Sequence, residues 1–326
     1  MSMNRLIPCV ALSAVAALAL VGCGANAQNA SDNQASSATV TVTDNKGEQT
    51  VPAPPQSVVA TDNRVFETLA DWGVQLKAAP KQLIPNGISY ANDDAVVDLG
   101  SHREPNLEAI AGVDPDLVIN GQRFAQYYDD IKKLVPDAAM LELDPRDDQP
   151  LDEELKRQTT ALGEVFGKQE EARRLTDGLD QAAQRAKDAY DGQSTMGVIV
   201  SGGDIGYVAP SKGRTIGPLF DMVGLQPALK VEGSDNHQGD DISVEAIAQS
   251  RPELLIVLDR DAGVKTSEGA SPASEVIEKS EALKDVPAVK NGNVVYLPAD
   301  TYTNEGIQTY TEILDDIAEK LGGRSN

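Results

Sequence analysis

The chain has very little cysteine: its 326 residues contain two, Cys9 and Cys23. Cys9 lies within an apolar stretch that follows Arg5 and ends in Leu20-Val21-Gly22-Cys23, a pattern typical of a secretory leader with a lipobox. The stretch is shorter than the roughly 20 apolar residues that a membrane span needs. We therefore predict a leader at residues 1–22 and a lipidated Cys23. No cysteine then remains for a disulfide, redox chemistry or nucleophilic catalysis.

Basic residues are also scarce, since 28 Lys and Arg stand against 51 Asp and Glu, a net charge of −23. An acidic surface of this kind argues against nucleic acids and other polyanions as partners of the whole body. A local group of arginines in a cleft remains compatible with this charge.

Common catalytic signatures are missing as well. The sequence has no Gly-x-Ser-x-Gly, His-Glu-x-x-His or phosphate-loop pattern, which disfavours a secreted hydrolase. His102 and His237 are its two histidines, a poor nitrogen set for a binder of free zinc or manganese. Aromatic residues make up 4% of the chain, which argues against haem or a corrinoid because their flat faces favour aromatic walls. A purely structural surface lipoprotein is a further alternative.

An internal repeat is the most informative feature that is present. Residues 106–111 (NLEAIA) and 243–248 (SVEAIA) are each followed, after three residues, by Pro and an apolar strand pattern, PDLVI at 115–119 and PELLI at 252–256. Each copy predicts a short helix, a turn and a buried strand, which is the repeating unit of an α/β lobe. Two copies predict two α/β lobes with a cleft between them.

Composition and periodicity place the segments around these copies. Residues 23–38 read as a lipidated, flexible tether because they lack large apolar residues. A hairpin is predicted at 39–51, a helix at 64–72, and a long helical segment at 151–190 that is broken near 163–167. We predict an N-terminal lobe at 39–167, a connecting helix at 168–192 and a C-terminal lobe at 193–326.

With these features in place, the chain resembles iron-siderophore ABC transporter substrate-binding lipoproteins, of the class III type, over essentially all of its mature region. Matching phrases include DLGS at 98–101, VLDR at 257–260 and NGNVVYL at 291–297. Within that family it is most similar to the branch that binds catecholate siderophores. The resemblance implies two α/β lobes joined by a single long α-helix, with the ligand cleft between the lobes.

Three arginines follow predicted strands, or the loops after them, where ligands lie in open α/β sheets: Arg123, Arg214 and Arg260. Guanidinium groups stay protonated and present planar donors, which suits the oxygens of an anionic ferric catecholate. The family uses arginines at matching positions, so the resemblance implies the same role here.

The resemblance also implies that His237 and Tyr302 act as iron ligands when a siderophore leaves coordination positions open. The segment at 301–306, TYTNEG, lacks the tryptophan and some of the glycines that the family has there. Tyr207, Tyr296, Tyr127 and Tyr128 are therefore fallback candidates for the tyrosine.

Glu108 and Glu245 occupy equivalent places in the two repeat copies, in the first turn of each predicted helix. A carboxylate there interacts favourably with the helix dipole, which is a purely structural explanation. The resemblance implies that each glutamate docks into a basic pocket of one permease subunit.

The sequence thus predicts a monomeric receptor without enzymatic activity, lipid-anchored on the extracytoplasmic face of the cell membrane. It would carry a ferric catecholate-type siderophore to an ABC permease, with no intrinsic cofactor. A hydroxamate siderophore, haem or a corrinoid is the alternative ligand.

Overall fold

Two α/β lobes joined by one long helix make up this computed structural model, which describes residues 38–264 and 269–323. The predicted leader and Cys23 lie outside the described residues, as does the tether apart from Ala38. Among the residues that are described, no helix is both long and apolar enough to cross a bilayer.

The first lobe contains a parallel five-stranded sheet. Its elements are β1 (Thr39–Asp44), β2 (Gly47–Pro52), β3 (Val58–Ala60), α1 (Phe66–Asp71), β4 (Leu76–Ala79), β5 (Val97–Asp98), β6 (Gly100–Ser101), β7 (Glu104–Pro105), α2 (Glu108–Gly112), β8 (Leu117–Asn120), α3 (Tyr128–Leu134) and β9 (Ala139–Glu142), with 3₁₀ helices at Lys81–Leu83, Ser89–Asn92 and Gln122–Tyr127. The strand order is β5-β4-β3-β8-β9. All neighbouring pairs are parallel, so their carboxyl ends share one edge.

The hairpin predicted at 39–51 is confirmed by β1 and β2, which pair antiparallel from Thr39 with Pro52 to Asp44 with Gly47. The Asp44 carboxylate accepts a hydrogen bond from the backbone N–H of Lys46 at 2.7 Å and another from that of Glu142 at 2.9 Å. One side chain therefore closes the turn and attaches the hairpin to β9.

The helix predicted at 64–72 is shorter in the structure, where α1 covers Phe66–Asp71. Asp62 Oδ1 accepts a hydrogen bond from the backbone N–H of Arg64 at 2.9 Å, so a turn precedes the helix. Trp72, which follows it, is 8% exposed and packs in the core of the first lobe.

Two helices lie in the sequence between the two sheets: α4 (Leu151–Phe166) and the connecting helix α5 (Gln169–Ala189). The predicted break between them is confirmed, since Gly167 adopts a left-handed conformation (φ 66°) and ends α4. With 21 residues, α5 is about 32 Å long. Ala172 lies in the core of the first lobe and Leu179 in that of the second, while Leu175 packs against both. One helix therefore spans the two cores.

The second lobe also contains a five-stranded sheet. Its elements are β10 (Ser194–Ser201), β11 (Asp204–Val208), α6 (Gly217–Val223), β12 (Gln226–Pro227), α7 (Val244–Gln249), β13 (Leu254–Asp259), α8 (Ala273–Lys279), α9 (Pro287–Lys290), β14 (Val294–Tyr296) and α10 (Ile307–Gly322). The strand order is β11-β10-β13-β14, and β12 also pairs with β10. β10 and β11 are antiparallel, whereas the other pairs are parallel. The lobe boundaries given above stay a prediction.

The sequence repeat corresponds to a structural repeat, because the helix–strand units α2–β8 and α7–β13 occupy equivalent places in the two lobes. The residue before the proline has positive φ in both copies, 46° at Asp114 and 50° at Arg251. Asp116 follows the first proline and accepts a hydrogen bond at 3.0 Å from the backbone N–H of Ser57, just before β3. Glu253 follows the second proline and accepts one at 3.0 Å from the backbone N–H of Ser194, the first residue of β10. The predicted duplication is therefore confirmed, and the two copies also share the backbone conformation of the turn before the proline.

Hydrogen bonds between the segment that precedes α10 and the region of α1 join the lobes a second time. The Asn304 amide donates to Glu67 Oε2 at 2.8 Å, and the Asn63 amide donates to the carbonyl of Thr303 at 2.9 Å. Both contacts are buried or partly buried, so the lobes meet through specific polar pairs beside the connecting helix.

Leu179→Ala should lower the free energy of unfolding by about 2–5 kcal/mol, since it leaves a cavity where α5 enters the second core. Urea unfolding followed by circular dichroism measures this loss. The matched control is Leu134→Ala on α3, where the side chain is 39% exposed, with an expected loss of about 1 kcal/mol or less. Equal losses for the two variants would contradict the assignment of Leu179 to the core.

Candidate functional site

Three arginines and a tyrosine lie in segments that follow strands of the two sheets. Arg123 is in the 3₁₀ helix that follows β8, and Arg260 comes directly after β13. Arg214 lies in the loop between β11 and α6, and Tyr302 lies between β14 and α10. Strand polarity therefore directs Arg123, Arg260 and Tyr302 to the cleft between the lobes. Arg214 follows the antiparallel strand β11 and is brought to the same place by the loop that leads into α6.

These four residues converge on one point. The guanidinium carbons of Arg214, Arg260 and Arg123 lie 4.6, 4.9 and 5.5 Å from the centroid of the Tyr302 ring. Cations within about 6 Å of an aromatic face are attracted to its quadrupole. We call this group the arginine–tyrosine cluster. It concentrates positive charge in a protein whose net charge is −23.

The Tyr302 phenol responds to this concentration of charge. The side chain is 6% exposed, and burial alone would raise its pKa. The positive charges of Arg214, Arg260 and Arg123, with a hydrogen bond from Arg260, outweigh burial and hold the pKa of Tyr302 below its usual value. The cluster therefore favours a phenolate, which is a hard oxygen donor.

Each arginine has a partner that fixes its direction. Arg260 Nη1 donates to Ser201 Oγ at 3.2 Å, and Arg123 Nη1 donates to Gln122 Oε1 at 3.2 Å. Burial and the nearby charge of Arg214 lower the pKa of Arg123. Repulsion between these guanidinium groups therefore contributes to the lowered pKa of Arg123.

Glu305, which the sequence analysis missed, is the partner of Arg214. Its carboxylate accepts from Arg214 Nη2 at 2.6 Å and from Nε at 3.2 Å, and also from the Thr215 hydroxyl at 2.6 Å and the Gln122 amide at 3.0 Å. Burial would raise its pKa, but the charges of Arg214 and Arg64 and these hydrogen bonds hold the pKa of Glu305 at about 2. Glu305 therefore stays ionised. In the sequence, the one feature that could have drawn attention to Glu305 was the departure of residues 301–306 from the family pattern.

A buried acidic group supports the loop that carries Arg123. Asp144 accepts from the backbone N–H of Gln122 at 2.6 Å and forms an ion pair with Arg64 at 3.2 Å. A Cβ at Gly121 would lie 2.8 Å from Asp62 Oδ2, so glycine is needed there. Burial and the charge of Asp144 raise the pKa of Asp62. This packing fixes the backbone from which Arg123 extends.

His237 is not part of the cluster; its side chain is exposed in the loop before α7. That loop is anchored near the site, because Gln238 Nε2 donates at 3.3 Å to Ser201 Oγ, the hydroxyl that also accepts from Arg260. Partial loss of hydration and the charges of Arg260 and Arg214 lower the pKa of His237. Its imidazole is thus held towards the neutral form that binds metals. Its role as a ligand stays a prediction.

The fallback tyrosines have other contacts. Tyr207 is buried with its hydroxyl donating to the carbonyl of Leu229 at 3.1 Å, and Tyr127 donates to the carbonyl of His102 at 2.6 Å. Tyr296 packs against the core of the second lobe, and Lys46 lies 4.9 Å over the ring of Tyr128. Tyr302 is therefore the tyrosine that the structure brings to the arginines.

Glu108 and Glu245 are both exposed, in the first turns of α2 and α7. The preceding polar side chains, Asn106 and Ser243, each accept from the backbone N–H three residues later at 3.2 Å. The Ser243 bond caps α7, and the Asn106 bond fixes the turn that leads into α2. The glutamates are therefore not needed as caps, and their docking role stays a prediction.

Comparisons with known proteins support this architecture. A family model described as periplasmic binding protein matches residues 58–301. Petrobactin-binding protein YclQ of Bacillus subtilis is 26% identical over 95% of this chain and 97% of its own length. Ferric-anguibactin-binding protein FatB of Vibrio anguillarum is 26% identical over 94% of this chain and 95% of its own length.

Solved structures show the same fold. The crystal structure of YclQ matches with a TM-score of 0.75 and 26% identity, over 87% of this chain and 99% of that chain. The periplasmic catecholate-siderophore binding protein VctP from Vibrio cholerae matches with a TM-score of 0.76 and 24% identity, over 86% and 99% of the two chains. The expected fold of two α/β lobes joined by a long helix is confirmed.

The lowered pKa of Tyr302 can be measured without a ligand. Ultraviolet difference spectra across pH should show a phenolate component titrating below the ordinary tyrosine value of about 10, and Tyr302→Phe should remove it. Tyr207→Phe is the control, because burial raises the pKa of Tyr207 and its loss should leave the low component in place. If Tyr302→Phe left the titration below pH 10 unchanged, the electrostatic account of the cluster would be wrong.

Proposed function

Because the chain belongs to the periplasmic binding protein family, we propose that it captures a ferric catecholate-type siderophore in the cleft and delivers it to an ABC importer permease. The observation that carries this proposal is the convergence of three guanidinium groups on Tyr302. The relatives YclQ and FatB are named for binding petrobactin and ferric anguibactin. The iron is cargo held by the siderophore, and the protein carries out no reaction on it.

The charge of the cluster supports an anionic ligand. Catecholate oxygens accept hydrogen bonds, and guanidinium groups offer several donors in one plane without losing their charge. The low exposure of Tyr302 keeps the cluster away from bulk water, where such interactions would be weakened. A catecholate complex therefore supplies the negative charge that this part of the cleft lacks.

Tyr302 and His237 support direct contact with the iron. Iron(III) prefers hard oxygen ligands, and the positive surroundings of Tyr302 favour its phenolate. Partial burial and the charges of Arg260 and Arg214 lower the pKa of His237, which favours the neutral imidazole that binds metals. The two side chains are therefore suited to fill positions that a tetradentate siderophore leaves open.

The sequence supports the proposed membrane location and the proposed partners of the protein. The lipobox at Cys23 would anchor the protein on the extracytoplasmic face of the membrane, and Glu108 and Glu245 would contact the two permease subunits. The working unit would be a monomer, in keeping with one cleft per chain. The acidic body, at −23, is unsuited to nucleic acid.

Ligand titration tests the proposal directly. The protein from residue 39 onward is titrated with iron(III) complexes of a tetradentate and a hexadentate catecholate and of a hydroxamate, followed by tryptophan fluorescence and by the charge-transfer absorption band. We expect His237→Ala to weaken the tetradentate complex about tenfold, or roughly 1.4 kcal/mol, and to leave the hexadentate complex almost unchanged.

His102→Ala is the matched control, since His102 lies in the other lobe and its pKa is lowered chiefly by burial. Equal losses for both complexes in His237→Ala would remove His237 as an iron ligand. Binding of the hydroxamate complex alone, or of none, would contradict the catecholate proposal.

Docking is tested separately from binding. Glu108→Arg and Glu245→Arg should each reduce uptake of iron from the ferric ligand by about tenfold in cells, because like charges at an interface cost several kcal/mol. Ligand affinity of the purified variants should not change, since both side chains are exposed outside the cluster. Glu164→Arg, an exposed position on α4, is the control for charge reversal. Unchanged uptake in both variants would refute the docking role.

A further inference from the structure

Glu305 joins the two lobes beneath the arginine–tyrosine cluster. It is 3% exposed, and its carboxylate binds the Gln122 amide of the first lobe and the Arg214 and Thr215 side chains of the second. A buried carboxylate with four hydrogen bonds is fixed in place. Its negative charge is therefore a fixed feature beside Arg214 in the arginine–tyrosine cluster.

Glu305 offsets one of the three positive charges of the cluster. Its contact with Arg214 Nη2, at 2.6 Å, is shorter than the 3.7 Å contact between Arg260 and Asp261. Arg123 donates instead to neutral groups, the Gln122 amide and the carbonyl of Tyr302. The three arginines therefore differ in how much of their charge is available to a ligand, and Arg214 has the least.

We infer that Glu305 determines the charge selectivity of the cleft, favouring ferric complexes of low negative charge over highly charged ones. This inference rests on the proposed function. Two catecholate dianions around iron(III) give a complex with one negative charge, whereas three give a complex with three. Each added ligand charge meets the repulsion of Glu305 as well as the attraction of the arginines.

The test compares two complexes in one variant. Glu305→Gln keeps the size of the side chain and removes its charge. We expect the ratio of affinities, tris-catecholate over bis-catecholate, to rise by about tenfold or more at low salt, and to rise less at high salt. Asp315→Asn is the matched control, because it removes one negative charge from the exposed ion pair with Arg185 and should leave the ratio unchanged.

Gln122→Lys gives a second, independent variant if Glu305→Gln does not fold. The ammonium would lie beside Glu305 and offset its charge from the opposite lobe, so the ratio should shift in the same direction.

Equal weakening of both complexes in the two variants would overturn the inference, because Glu305 would then serve structure alone. If the wild-type protein binds neither complex, the proposed function fails and the selectivity fails with it.

Discussion

Electrostatic repulsion among Arg123, Arg214 and Arg260 is the constraint on which the rest of the site depends. Three guanidinium groups lie within 5.5 Å of one ring centroid, and burial together with the charge of Arg214 lowers the pKa of Arg123. Repulsion among these groups raises the energy of the ligand-free cleft. The Tyr302 ring and phenol offset part of this repulsion. An anionic ligand offsets more of this repulsion, and the decrease in repulsion energy favours binding.

This constraint explains why so many buried carboxylates lie near the cleft. Glu305 holds Arg214, and Asp144 holds both Arg64 and the backbone that precedes Arg123. Each carboxylate is hydrogen-bonded, as buried charges must be. The hydrogen bond from the Gln122 amide to Glu305 crosses between the lobes, so an interaction that helps to position Arg214 also limits how freely the lobes can separate.

The sequence predicted the parts of the molecule that depend on local pattern. The repeat, the hairpin and the break in the central helix follow from turn residues and periodicity, and the arginines were found because each follows a strand pattern. Glu305 could not be found in this way, because its partner Gln122 lies 183 residues away. The exposure of His237 could not be predicted from the sequence either, because the packing of a loop depends on contacts between separate elements.

The most direct test of the account is a crystal structure of the protein with an iron(III) bis-catecholate bound, with the iron located by its anomalous scattering. The account predicts one iron peak in the cleft, next to the Tyr302 hydroxyl, with catecholate oxygens hydrogen-bonded to Arg123, Arg214 and Arg260. Iron bound elsewhere on the protein, or a ligand that leaves these arginines uncontacted, would contradict it.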